Sequence, residues 1–241
     1  MIHTYFKRIG VLLKVVETEE HVSMKEASGK IAESLEAGGV VHLFGCGHSH
    51  MLAEEVYYRA GGLAVIHPIL SENMMLHKDA IRASELERQH GYAKVILQKE
   101  NIRKGDIFIV ISTSGRNPVP LEAALFARMK GAFVIGISST VYTKTQTSRH
   151  ESGKYLKDVV DLHIDNHVPL GDALLEHDNV AVPFAPSSTI IGAAIINSVI
   201  ALAIASLAEK GITPPVFLSG NVDGADEHND QLMKKHKELF S

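Results

Sequence analysis

From the N-terminus, apolar residues at Phe6, Ile9, Leu12, Leu13 and Val16 recur at helical spacing, which predicts a helix over Tyr5 to Glu20. Ser23 with Glu26 three residues on has the form of a capping box; the helix it opens carries Ile31 and Leu35 and stops at Gly38-Gly39. The pattern then changes from stripes to blocks. Val40 to Phe44 is a short apolar strand, followed by Gly45-Cys46-Gly47-His48-Ser49 and a helix through Tyr58. Leu63 to Ile69 reads as a second strand, Ile81 to Gln98 as a helix, and Asp106 to Ile111 as the clearest strand in the chain. After Ser112-Thr113-Ser114-Gly115-Arg116-Asn117 come a helix from Pro118 to Met129, a strand from Ala132 to Ile137 and a fifth strand over Val159 to Ile164. Thr140 to Lys154 is rich in Thr, Ser and Lys and reads as an exposed connection. A polar run from Leu218 to Asn229 leads into a terminal helix with Leu232 and Leu239.

Strand blocks without polar alternation are buried on both faces. Alternating with amphipathic helices, they predict βαβ units, a parallel sheet and an α/β fold with helices on either side. No tandem repeat or low-complexity linker divides the chain. One domain over residues 1–241 is expected: an N-terminal helical segment (1–37), a core (38–210) and a C-terminal loop and helix (211–241). Ile190 to Ala208 is long and apolar enough to raise the question of a membrane span, but Gly192, Asn197, Ser198 and Ser206 dilute it and no basic flank precedes it. A central helix buried on all sides is the expectation.

Composition narrows the partners. Lys and Arg number 24 against 28 Asp and Glu, a net charge of −4, which argues against nucleic acid or membrane binding over the whole surface. The N-terminal helices carry Glu17, Glu19 and Glu20, so no basic recognition helix is present. An anionic small molecule would have to be captured locally. The single cysteine, Cys46, allows no internal disulfide and reads as a small packing residue. The start of the chain, Met1 to Arg8, has no apolar run behind its charges, and a cytoplasmic protein is expected. Fourteen histidines offer ligands, but no CxxC pairing accompanies them, and neither metal nor cofactor is expected.

In open parallel sheets, ligands bind beyond the carboxyl ends of the strands, where helix N-termini present free N–H groups. Three segments here end a strand in glycine or short hydroxyl residues: Gly45 to Ser49, Ser112 to Asn117, and Ser138-Ser139. The first fails as a dinucleotide fingerprint, since His50 occupies the third glycine position and the second strand ends at His67-Pro68 without an acid for a ribose. It reads either as a tight turn needing glycine for geometry alone, or as a site where Gly47 admits the ligand and Ser49 donates its hydroxyl. The second places three hydroxyls and a glycine directly after an apolar strand, with Pro118 in the first turn of the next helix. Such a turn caps helices, and it also suits a phosphate.

The segments VVHLFGCGHSHMLAEEVYYRAGG and GDIFIVISTSGRNPVPLEAALFARMKGAFVIGISS resemble the core of the sugar isomerase (SIS) family, with its GxGxS loop after the first strand and (T/S)xSG loop after the third. The resemblance covers about residues 38–140 and extends more loosely to Pro186-Ser187-Ser188-Thr189 at the head of the long apolar helix. It implies a flavodoxin-like sheet of five parallel strands between helical layers, a homo-oligomer (dimer or tetramer), and a phosphorylated sugar as partner. It also implies that Ser112, Thr113, Ser114 and Asn117 surround the phosphate, with Gly47, His48, Ser49, Ser138 and Ser188 lining the rest of the site. Phosphoheptose isomerases and etherases acting on N-acetylmuramic acid 6-phosphate are closest in layout.

Aldose–ketose isomerisation moves a proton between adjacent carbons and needs a base within reach. Glu72 follows the second strand, and Glu85 and Glu87 precede the third; Glu87 stands about where the etherase-like members carry an essential glutamate. Against this, Glu85 and Glu87 also suit a solvated helix face with Arg82 and Arg88. His177, before the last long helix, is the preferred histidine, with His48 its rival, and Arg116 is a candidate phosphate partner. Glu87 and His177 are therefore the expected catalytic pair. Asn221, His228 and Asn229 are candidates to complete a neighbouring subunit's site, against the simpler reading of a turn and helix cap. Isomerase, etherase-like lyase and non-catalytic sugar-phosphate sensor all remain open at this level.

Overall fold

Five strands form one parallel sheet: β1 (Val41–Gly45), β2 (Ile66–Ile69), β3 (Ile107–Ile111), β4 (Phe133–Ser138) and β5 (Leu162–Asp165), in the order β2-β1-β3-β4-β5. The computed structural model describes residues 1–239, so the last two positions of the predicted C-terminal segment lie outside the described residues. The pleat explains the apolar blocks. Val41, Leu43, Ile107, Ile109, Ile111, Ile135 and Ile137 face one layer, and Phe44, Phe108, Val110 and Val134 face the other. On the first face lie α1 (Ile2–Glu19), α2 (His21–Glu36), α3 (His50–Glu55) and α8 (Ser188–Glu209); on the second lie α5 (Tyr92–Leu97) and α6 (Pro118–Met129). The expected α/β three-layer architecture, N-terminal helices included, is the one observed.

Several local expectations need correcting. Ser23 caps nothing: the Met24 amide bonds the Glu20 carbonyl at 2.8 Å, so the helical ladder runs straight through and α2 begins at His21. The single helix expected from 81 to 98 is two, α4 (Leu76–Glu87) and α5, broken where Gly91 takes a left-handed φ of 79°. Within α4, Asp79 is extended, and its Oδ1 accepts the amides of Ile81 (3.1 Å) and Arg82 (2.9 Å), so it caps the regular helix that follows. Leu63 leaves the sheet to bridge Val216, leaving β2 as a short edge strand that tolerates Pro68. The supposed connection after β4 holds a further helix, α7 (Thr140–Thr145), capped by Ser139. Leu175–His177 and Val180–Phe184 form an antiparallel hairpin, β6 and β7, packed on α1 through Ile9, Leu174 and Leu175.

The long helix α8 is the largest correction. Ile191, Ile195, Ile196, Val199, Ala203 and Leu207 are buried, while Ile190 and Leu202 on the other side are 42% and 40% exposed. It is long and apolar enough to cross a membrane, and it packs on α2 and α3 along one face only. Its contact with α3 is close: a Cβ at Gly192 would sit 2.4 Å from Leu52 Cδ1. A short terminal helix, α9 (Ala225–Lys235), follows.

Candidate functional site

The chain runs outward from β1 to β2 and returns to build β3, β4 and β5 on the other side. The loops leaving β1 and β3 therefore part and leave a crevice at the carboxyl edge of the sheet. Both expected loops meet there. At the first, a Cβ on Gly45 would lie 2.6 Å from the Ser49 backbone, so the chain doubles back tightly and only glycine fits. The Ser49 amide bonds the Cys46 carbonyl at 3.0 Å, and Gly47 takes a φ of 55°. His48 and Ser49 then line a small cleft with Thr113, Asn166, Ser188 and Thr189.

The second loop is held from outside. The carbonyls of Thr113, Gly115 and Arg116 accept the amides of Ser139 (2.8 Å), Leu156 (2.8 Å) and Arg149 (2.9 Å). Gly115 donates back to the Ser112 carbonyl at 2.9 Å, with Ser112 itself buried. Thr113 and Ser114 are half-buried at the tip, where hydroxyls and amides can face a ligand. Ser188 opens α8, but its hydroxyl donates to Asp172 Oδ2 (2.6 Å), and Asp172 Oδ1 also accepts the amides of Ser187 and Ser188. That helix N-terminus is thus closed by the chain's own carboxylate. Ser138 abuts the position a Gly115 Cβ would take and pairs with His163 Nε2 at 2.9 Å.

Glu87 is brought to this corner, and Glu85 is not. Glu85 stays on the solvated face with Arg82 (3.3 Å), and Glu72 pairs with Lys78 (3.1 Å). Glu87 Oε1 accepts Asn117 Nδ2 at 2.8 Å, and Asn117 Oδ1 accepts a guanidinium N–H of Arg149 at 2.9 Å. Burial pushes the Glu87 carboxyl up, opposed by the Asn117 amide and by Arg88 and Arg149. Asn117 thus links Glu87 to Arg149 and holds that carboxyl in place. Arg88, Arg116 and Arg149 share the corner: burial and the other two guanidinium groups hold Arg149 below its ordinary value. Arg116 donates to Gln146 Oε1 (3.1 Å), while its buried Nε has no hydrogen-bond partner among the described residues. Cys46 is buried beside Glu87, and burial raises its thiol well above the ordinary range, which suits packing and not nucleophilic attack.

His177 is not brought to Glu87. It lies exposed in the β6–β7 hairpin, where its Nδ1 accepts the Asn179 amide at 3.2 Å, and it lines no part of the cleft. The C-terminal candidates serve local structure: Asn229 bonds both the amide and the carbonyl of Leu218 (3.0 Å each), His228 Nε2 meets the Val216 carbonyl at 2.9 Å, and the Asn221 amide bonds Ser219 Oγ. Sequence reasoning missed Asn166, Asp172 and Arg149. Asn166 directly follows β5, a strand-end signal of the kind already used for the other loops; Arg149 and Asp172 carry no local signal.

A family model described as the SIS domain matches residues 4–139, more than half of the chain. A UPF0309 protein of Geobacillus thermodenitrificans is 53% identical over 99% of this chain and 96% of its own, and one from Listeria monocytogenes serotype 4b is 54% identical over 99% and 96%. Among solved structures, a phosphoheptose isomerase from Francisella tularensis superimposes with a TM-score of 0.53 at 17% identity, covering 84% of this chain and 95% of that one. A phosphoheptose isomerase from Neisseria gonorrhoeae gives 0.51 at 15% identity, over 85% and 95%. At those identities the likeness is one of fold alone. The strand order, the two small-residue loops at the β1/β3 crevice and the match over the first half of the chain agree: this protein belongs to the SIS domain family.

Proposed function

We propose that the protein binds a phosphorylated sugar at the β1/β3 crevice and interconverts its aldose and ketose forms. The observation that carries this is the pairing of the Thr113–Ser114 tip, with the buried and unpaired Arg116 Nε beside it, and the desolvated carboxyl of Glu87. A dianionic ester would take the hydroxyls and amides of the tip and draw on the local positive charge, in a chain whose net charge is −4. Glu87 would act as the base. A carboxyl with a raised proton affinity abstracts a proton from one carbon and returns it to its neighbour, while the hydroxyl proton passes between the two oxygens through a second group or a water molecule.

The same reading places the protein in the cytoplasm, where its one buried thiol is kept reduced. It also makes the protein a homo-oligomer: the uncovered apolar side of α8, with Ile190 and Leu202, suits contact with a second copy. The test is a panel of aldose and ketose phosphates followed by NMR, with binding read from ligand-induced thermal shifts. Glu87→Gln should abolish turnover while keeping the thermal shift, and Ser114→Ala should lower the shift. Wild-type protein that interconverts no pair in the panel would remove the isomerase reading, and release of lactate from a muramic acid phosphate would replace it.

A further inference from the structure

Outside the crevice, three side chains from separate parts of the chain converge. His90 lies in the turn between α4 and α5, Glu122 on α6, and His150 in the segment after α7. His90 Nδ1 is 3.4 Å from Glu122 Oε1, His150 Nε2 is 4.0 Å from the same oxygen, and the three ligand atoms lie within 4.8 Å of one another. A tetrahedral ion with bonds of about 2.0–2.1 Å needs ligand atoms about 3.3 Å apart, so one pair is already at that spacing and the others need only a small closure. From these positions we infer that His90, Glu122 and His150 form a site for a divalent transition-metal ion of the zinc class.

The surroundings fit that assignment. Glu122 is fixed by the Gly91 amide, which donates to both its oxygens (3.0 and 2.9 Å), leaving lone pairs toward the histidines. His150 is largely buried, and its Nδ1 stands 2.7 Å from Ser152 Oγ. His90 is the exposed member, free to swing inward. Two imidazoles and one carboxylate suit zinc, cobalt, nickel or iron in preference to magnesium or calcium.

The position gives the ion a task. His90 follows Glu87 by three residues, Glu122 lies on α6 five residues after the N-cap Asn117, and His150 is the neighbour of Arg149. Each ligand thus sits beside one member of the Glu87–Asn117–Arg149 chain. The ion would staple the three segments that carry that chain, acting as a brace. This inference does not depend on the phosphosugar reading.

The test uses full-length protein stripped with a chelator and titrated with Zn2+ without any sugar phosphate, in competition with a chromogenic chelator, and with Co2+ as a spectroscopic probe. The expected result is one ion per chain, visible d–d bands of tetrahedral cobalt, and a metal-dependent rise in Tm. His90→Ala, His150→Ala and Glu122→Gln should each weaken Zn2+ binding at least ten-fold, while His3→Ala, at an exposed position of α1, leaves it unchanged. Because His90 is exposed, its variant tests the site even if the buried substitutions impair folding. Absence of stoichiometric uptake, or uptake equally strong in His90→Ala and wild type, overturns the assignment. Protein that binds sugar phosphates but takes up no Zn2+ refutes this inference alone; protein that takes up Zn2+ through the trio but binds no sugar phosphate refutes only the phosphosugar reading.

Discussion

Replacing Gly115 with alanine tests whether the turn after β3 is as rigidly held as its contacts imply. Gly115 takes a φ of 56°, and an L-residue in left-handed backbone costs about 1–2 kcal/mol. The added Cβ would lie 3.1 Å from both Cβ and Oγ of Ser138 and 3.3 Å from Leu156 Cβ. Ser138 is fixed in β4 and 2% exposed, and Leu156 is fully buried, so neither can step aside without moving backbone; this overpacking adds about 1 kcal/mol. The total is about 2–3 kcal/mol, or a fall in Tm of about 5–10 °C for a chain of this length. Gly38→Ala is the control, since Gly38 has a φ of 80° and nothing within 4 Å of its Cβ position, so it bears the backbone cost alone. Calorimetric unfolding of both variants, with and without a bound sugar phosphate, separates the contributions. Gly115→Ala should fall below Gly38→Ala in stability and lose the ligand-induced shift that Gly38→Ala keeps. Equal stabilities with ligand response intact would show that the turn is pliable and that its shape does not select the ligand.

Two further outcomes follow from the buried polar groups. Asn117→Ala removes the amide that lowers the proton affinity of Glu87, so the acid limb of kcat/KM against pH should move to higher pH; because the Asn117 side chain makes no cap bond to α6, the helix itself should persist. At the opposite edge of the sheet, His67 is held down at about 4 by burial and by His42, with Asp106 and Glu100 completing the cluster. The unfolded chain takes up that proton near 6.5 and the fold does not, so stability falls between about pH 6.5 and 4 by up to about 3 kcal/mol, and His67→Gln should flatten the Tm profile over that window.

The parts of the site that were legible in the sequence are those whose physics is local. A strand covered on both faces must be apolar without alternation, so the blocks at 41–45 and 107–111 announce themselves, and the small residues after them mark the turns that feed the crevice. Glu87 shares α4 with the solvated Glu85 and faces the other way, toward Asn117. Local signals mislead where a longer pattern overrules them: the capping box at Ser23 is a genuine motif, yet the hydrogen bond from Met24 to Glu20 continues the helical ladder through it. What stayed hidden is the polar cross-linking. Asp172 closes the start of α8 from a segment with no helical signal, and Arg149 reaches Asn117 from a stretch that reads as plain connection. His90, Glu122 and His150 converge although no spacing links them. His177 lies away from Glu87 because Asp172 occupies the head of α8 and the intervening chain turns out into a hairpin against α1. In a parallel sheet every strand end is brought to one edge by crossovers of thirty residues or so, so the groups that meet there are distant in sequence by construction. Sequence pattern therefore locates such an edge before it can say which charges line it, and the charges are what decide between isomerase, lyase and sensor.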